Sequence, residues 1–503
     1  MASTNCWRCL ARPSQRVLSS VPTICSTSSP SALIPAAAAS FTTSATQLAN
    51  PKGPKDTGSG LSRHIRSGKR LVLGKKKKRQ QTRDRPVAPG ERKAFRKRIQ
   101  LSNDNALEVE GLPELTPHNI ADPDAVGQVV GLPGTLVDQL RAGEAFKPTQ
   151  NWGLFRSPHM LIRRETVDLV KRLEDAVEKK ETARVVITGD RGSGKSILGL
   201  QALAAGFMNK WVVINIPEGQ DLTTAHTEYA PIPNSEMFSQ PVYTVKLMQA
   251  IHKANLPVLS QHKVEGDHMH LPISVTRNMT LAAMLSATRE PEFAWPVFES
   301  FWRELLRPGR PPVLLALDGL HHVMRVSDYR SPSFERIHSH DLALVRLFAD
   351  ALGGRSAFPN GAAVVGVTSR GNCPVLPSVE KAIDQAAALQ EQQQRQQQQQ
   401  QQQTGSGSAP VAEEVVPISV PPRDPFYRGY DERVFDVLRG VAVHGVRGVS
   451  KPEARALMEY WAASGILRQR VDEYNVSEKW TLAGGGVLAE MERVALYDNR
   501  VTM

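Results

Sequence analysis

Residues 185–200 read VVITGDRGSGKSILGL. Apolar, β-branched residues lead into a turn with three glycines, and helix-forming residues follow. The order is strand, turn, helix start. Within it, Gly189-Asp190-Arg191-Gly192-Ser193-Gly194-Lys195-Ser196 fills the pattern G-x-x-x-x-G-K-S. Glycines let the backbone curl so that its N–H groups point at phosphate oxygens. The helix opening near Lys195 adds the positive end of its dipole. Lys195 can reach the β- and γ-phosphates, and the Ser196 hydroxyl can ligate magnesium. Residues Gly189 through Ile197 are therefore expected to hold a nucleotide, GTP/GDP or ATP.

Outward from this loop, apolar runs recur as strands. RVVIT at 184–188 precedes it, WVVINIP at 211–217 follows its helix, VLLALD spans 313–318, and GAAVVGVTSRG spans 361–371. Helical spacing fills much of the remainder: from MLIRRETVDLVKRLEDAVEKK ahead of the loop, near 243–255 and near 279–306. Strands alternating with helices predict an α/β fold with a parallel sheet. A ligand on such a sheet sits at the carboxyl ends of its strands, where Lys195, Asp318 and Thr368 should converge. An apolar strand ending in Asp makes Asp318 the second candidate magnesium ligand, beside Ser196.

The residue after Asp318 is Gly319, where hydrolytic relatives of this loop class commonly place a water-activating Glu. His321 and His322 follow, and polar packing explains them as well as base chemistry does. No catalytic residue is assigned, and weak or absent hydrolysis is expected. Asn209-Lys210-Trp211-Val212 lacks the Asp of a guanine-reading motif, so the residues leave guanine against adenine open.

The net charge of +12 is unevenly distributed. Residues 1–98 hold 21 Lys and Arg against three acids; the rest of the chain, with 41 against 47, is mildly acidic. Residues 1–55 contain no acid, carry Arg8, Arg12 and Arg16, and are rich in Ser and Thr before Asp56. That composition predicts a mitochondrial transit peptide over 1–50, cleaved somewhere in 40–55. Residues 51–150 follow as a basic arm and a wrapping extension. From Arg63 to Arg98 sixteen Lys or Arg face two acids, a block too charged to collapse alone. Such an arm suits a phosphate backbone, RNA first, with DNA and cardiolipin as rivals.

The nucleotide-binding domain is placed at 151–377. No apolar run is long enough to span a membrane. Cys6 and Cys9 have metal-ligand spacing but no second pair to complete a site. His262, His268 and His270 lack a framing carboxylate pattern. Residues 378–425, with their glutamine tract, read as a disordered low-complexity insertion. Residues 426–503 read as a smaller helical domain. Ser450 and Glu453 form a predicted capping box ahead of a helix, and RQRVDEYNVSEKWTL is expected to form a hairpin, giving a winged-helix-like unit.

Taken together, GDRGSGKS, the WVVINIP strand close behind it, VLLALDGL with Gly after Asp, and AAVVGVTSR resemble the mitochondrial small-subunit ribosomal proteins of the death-associated protein three family. The resemblance covers roughly 150–375 and, more weakly, 425–495. It implies an AAA+-like P-loop fold, a bound purine nucleotide usually described as GTP, and a place in the head of the mitochondrial small ribosomal subunit near the subunit interface. Small-subunit rRNA and neighbouring mitoribosomal proteins are the implied partners, with a possible large-subunit contact, in the mitochondrial matrix. The glutamine insertion departs from that pattern. Two rivals stand beside this reading: a matrix AAA+-like ATPase acting on RNA or protein, and an apoptotic signalling GTPase.

Overall fold

A computed structural model describes residues 99–276, 278–371, 373–405 and 420–497. The transit peptide and the basic arm from Arg63 to Arg98 lie outside them.

Five parallel strands form the centre: β1 (Thr182–Gly189), β2 (Val212–Ile216), β3 (Val313–Asp318), β4 (Ala362–Val367) and β5 (Ala442–Val446), in the order β5-β1-β4-β3-β2. Their side chains alternate between two cores, as the two-residue strand period requires. Val313, Leu315, Leu317 and Val364 face one. Leu314, Ala316, Val365 and Val367 face the other. Burial on both faces is why these strands read as unbroken apolar runs.

The helices cover both faces. On one lie α1 (Arg164–Glu178) and α2 (Lys195–Met208), with Leu169, Val170, Leu173 and Leu200 buried against the sheet. On the other lie α3 (Pro241–Ala254), α4 (Pro291–Leu305) and α5 (Ala343–Leu352), contributing Leu247, Phe298, Phe301 and Phe348. Each such side chain, taken out of water, contributes about 1.5–3 kcal/mol before entropy is subtracted.

Several expectations need correction. Met160 and Leu161 do not begin the helix; they sit in a short strand, His159–Leu161, paired antiparallel with Val129–Gly131. The apolar stretch near 279–306 is two helices, Leu281–Ser286 and Pro291–Leu305, because Pro291 starts a new one. The glutamine-rich segment is not wholly a disordered insertion. Helix α6 (Pro377–Gly405) docks its leading turns on the core through Val379, Ala382, Ile383 and Ala386, and the Gln390 side chain accepts a hydrogen bond from Val443 N–H at 2.7 Å.

At the C-terminal end, α7 (Glu432–Leu438) leads into β5, which pairs with β1 inside the main sheet. α8 (Lys451–Ala463) carries the capping box: Ser450 accepts from Glu453 N–H, and the Glu453 carboxylate accepts from Ser450 N–H at 2.7 Å. The expected hairpin is instead α9 (Glu473–Leu482), started by Asp472, which accepts from Asn475 N–H at 2.8 Å. α10 (Leu488–Glu492) follows. A third apolar cluster joins these helices to residues far upstream: Val129, Phe155 and Leu161 pack with Leu457, Met458, Trp461 and Met491.

Candidate functional site

The glycine loop lies where β1 ends and α2 begins, at the carboxyl edge of the sheet. Gly194, with φ +101°, caps the helix, and the first amides of α2 have no partner within the helix. Gly192 has φ +81°, and a Cβ there would stand 2.9 Å from the Ala489 Cβ. The closeness is structural: Ala489 N–H donates to Gly192 C=O at 3.0 Å. Buried Arg163 adds a second tie, donating to Ser193 C=O at 3.1 Å and to Arg447 C=O at 2.9 Å. The loop is thus held from both ends of the chain.

Lys195 is buried, and its ammonium donates to the carbonyls of Gly189 at 2.9 Å and Asp190 at 2.6 Å. Burial and the positive Arg370 lower its pKa; the Asp190 and Asp318 carboxylates oppose them. Asp318 is thus near enough for its charge to act on Lys195. Arg370 lies beyond β4, 3.6 Å from Asp190 and 3.0 Å from Glu380 of α6. Asp190 and Arg191 are exposed, and Ser196 and Ile197 are half-buried in the first turn of α2.

Asp318 ends β3. Its carbonyl accepts from Gly219 N–H at 2.7 Å, and its carboxylate pairs with the Lys147 ammonium. Gly319 has φ +84° and donates to Val367 C=O at 3.0 Å. A glutamate in that left-handed conformation would be strained. A polar cavity of about 310 Å³ opens here, lined by Lys147, Glu218, Gln220, Asp318, His322 and Ser369 among others. Thr368 is buried, and its hydroxyl donates to Ile187 C=O at 2.9 Å, inside the sheet.

On the other flank of the loop lies a smaller, mainly apolar cavity of about 100 Å³. Trp152, Phe155, Ile197, Leu457, Trp461 and Leu488 wall it, and Gln150 and Glu492 supply polar atoms. The Gln150 Nε2 is buried without a hydrogen-bond partner. Glu492 accepts from Asn151 Nδ2 at 2.8 Å, and burial raises its pKa.

His321 and His268 are held in buried polar contacts. His321 is buried and 3.3 Å from Glu380; burial lowers its pKa more than Glu380 raises it. His268 lies 3.0 Å from the buried Glu304, which also pairs with Arg307 and Arg310. Among the described residues no group of three or more His, Cys, Asp or Glu could hold a metal ion, and no helix is long and apolar enough to cross a membrane.

Sequence reasoning missed Lys147, Arg163 and Arg370. The last closed a stretch already read as a strand end. The first two carried no motif, and only the fold brings them to the loop.

The molecule is thus an α/β protein whose five-stranded parallel sheet carries a glycine-rich strand–helix turn at its carboxyl edge. It belongs to the mitochondrial ribosomal death-associated protein 3 family, whose sequence model matches residues 160–494. The small ribosomal subunit protein mS29 of Neurospora crassa is 48% identical over 500 residues, 99% of each chain. The mS29 of Schizosaccharomyces pombe is 20% identical over 390 residues, 76% of this chain and 74% of that one. Membership locates the chain in mitochondria.

Proposed function

We propose that the protein is a structural component of the small subunit of the mitochondrial ribosome, in the matrix, and holds a purine nucleotide as part of its fold. The carrying observation is that the glycine loop is bound by its own chain on both sides, through Ala489 and Arg163. A ligand seated there would brace the N-terminal strap (residues 99–163, ahead of α1), the sheet and the C-terminal helices together.

The strand order, with the loop after β1 and Asp318 at the end of β3, supports an AAA+-like P-loop core. Lys195, Arg370 and the amides of Gly192 to Ile197 would take the phosphates. The aromatic-walled cavity beside Ile197 suits the base, with Gln150 donating and Glu492 accepting at its edge. That pairing suits a purine; GTP or GDP is what the family implies, and ATP is the alternative. The residues fit a magnesium ion poorly: the Asp318 carboxylate already has Lys147 as its cation. Gly319 stands where a water-activating Glu would be expected, so turnover should be slow.

The basic arm from Arg63 to Arg98 would bind small-subunit rRNA, with affinity that falls steeply with salt as counterions are released. Neighbouring proteins of the subunit head, and a large-subunit contact, are the partners the family implies. Sedimentation of matrix lysate, with and without magnesium to split the ribosome, tests the assignment: co-migration with the small subunit is expected. Absence from ribosomal fractions overturns it. Turnover by the purified protein near or above about 1 s⁻¹, the low end of ordinary enzyme rates, would favour a matrix ATPase or signalling GTPase instead.

A further inference from the structure

Among the features the proposed function leaves unused, the ion pair at the end of β3 carries most. Lys147 and Asp318 belong to distant parts of the chain, and both are largely withdrawn from water, with side chains 19% and 13% exposed. Lys147 is no free surface lysine. Its backbone N–H donates to Gln150 Oε1 at 2.8 Å, and the same oxygen accepts from Trp152 Nε1 at 2.8 Å. Trp152 is buried edge-on to Phe146, with ring centroids 5.3 Å apart. The ammonium is therefore delivered to Asp318 from an anchored backbone, with little side-chain freedom left to lose.

The pair lines the polar cavity together with Glu218, Gln220, His322 and Ser369. Asp318 is also near enough for its charge to act on Lys195. The pair and the loop lysine thus share one electrostatic neighbourhood. A divalent ion bound directly to Asp318 would have to displace Lys147 and leave that ammonium without its carboxylate. Breaking a largely buried pair in this way is unfavourable.

An ammonium has three donor hydrogens and no acceptor. One satisfies Asp318, and two remain for the oxygens of an incoming phosphate. A lysine brings one charge where a magnesium ion brings two, and it neither lowers the pKa of a bound water nor bridges phosphate oxygens by coordination. Such an arrangement suits retention of a nucleotide better than its cleavage.

We propose that Lys147 is the resident cation at Asp318, standing where a divalent metal would otherwise sit, so that nucleotide retention does not depend on magnesium. This rests on the reading that the glycine loop holds a nucleotide. Lys147 lies ahead of residues 160–494, which the family model matches, so the cation comes from the N-terminal strap and not from the matched core.

The test uses the purified full-length chain loaded with fluorescent GDP and, separately, fluorescent ADP. Release rates are measured in magnesium and in EDTA. The wild-type rate should change less than about threefold between them. Lys147→Met keeps the aliphatic stem and removes the charge; its release in EDTA should exceed its release in magnesium by about tenfold. Lys147→Arg keeps a cation and should stay indifferent to EDTA, which guards against a methionine variant that merely folds badly. A wild type that sheds nucleotide about tenfold faster in EDTA, with Lys147→Met showing the same ratio, overturns the proposal. A wild type that retains neither nucleotide in either condition overturns the nucleotide reading itself, a result easily told apart from magnesium dependence.

Discussion

On one flank of the glycine loop, Trp152, Phe155, Trp461 and Leu488 close an apolar cavity of about 100 Å³; on the other, Lys147, Glu218, Asp318 and His322 ring a polar one of about 310 Å³. The polar flank is built mainly from residues at the ends of β2 and β3, so the register of the sheet fixes it. The apolar flank is assembled from the N-terminal strap and the C-terminal helices, and packing, with the Asn151–Glu492 hydrogen bond, brings them together. The polar flank should therefore govern how a charged ligand is held. The apolar flank should govern whether the assembly stands at all.

The largest effect should come from Trp461→Ala. The ring is buried in the cluster that joins strap to helices, and truncating such a side chain costs about 3–5 kcal/mol. Urea unfolding should show this loss with and without nucleotide. A loss below about 1 kcal/mol would mean that the apolar flank is not structural.

Next comes pH. His159 packs against the rings of both Phe155 and Tyr460, 4.4 and 4.1 Å away between centroids. Burial lowers its pKa from 6.5 to about 4. The unfolded chain therefore takes up the proton first as pH falls. The stabilising contribution is intact above pH 6.5 and is lost as pH drops towards 4, by about 3 kcal/mol. His159→Phe should flatten the pH dependence of the unfolding midpoint across that window. An unchanged slope would show that other groups carry it, buried His340 with its pKa of about 3 being the nearest in kind.

Lys195→Ala should separate the flanks most cleanly. A ligand at a hundredfold excess over its Kd stabilises the folded state by about 2.7 kcal/mol. The variant should lose most of that gain in a thermal melt with nucleotide and differ little without it. A wild-type melt indifferent to nucleotide would remove the ligand from the polar flank altogether. The smallest effect belongs to Gly319→Ala, where the left-handed backbone makes a side chain cost roughly 1–2 kcal/mol. If turnover rises in Gly319→Glu, the strain argument against a base at that position fails.

Much of this molecule was legible in its sequence because the deciding signals were local. VLLALD matched β3 residue for residue, and the strand around RVVIT was short by two residues at its start and one at its end. The loop announced itself through glycine spacing. What stayed hidden depended on distant partners. β5 is short, interrupted by His444 and Gly445, and only half-buried over much of its length, so it became a strand only beside β1. The stretch through Val476 and Trp480 carries strand-forming residues, yet the Asp472 cap turned it into helix. The glutamine run masked the Val379, Ala382, Ile383 and Ala386 stripe in front of it. Lys147 was one lysine in an unremarkable extension until the fold set it against Asp318.

The bond from Ala489 to Gly192 also sets an order of events. A chain made from its N-terminus delivers the strap, β1 and the loop long before the segment that completes them. Until Ala442–Val446 arrives, one edge of β1 is an unpaired template for the wrong neighbour. If the loop holds a nucleotide as proposed, its capture would come late in biogenesis. A polypeptide truncated ahead of Ala442 has the glycine loop in its sequence and lacks the means to finish it, so surveillance for occupied loops would sort finished chains from broken ones.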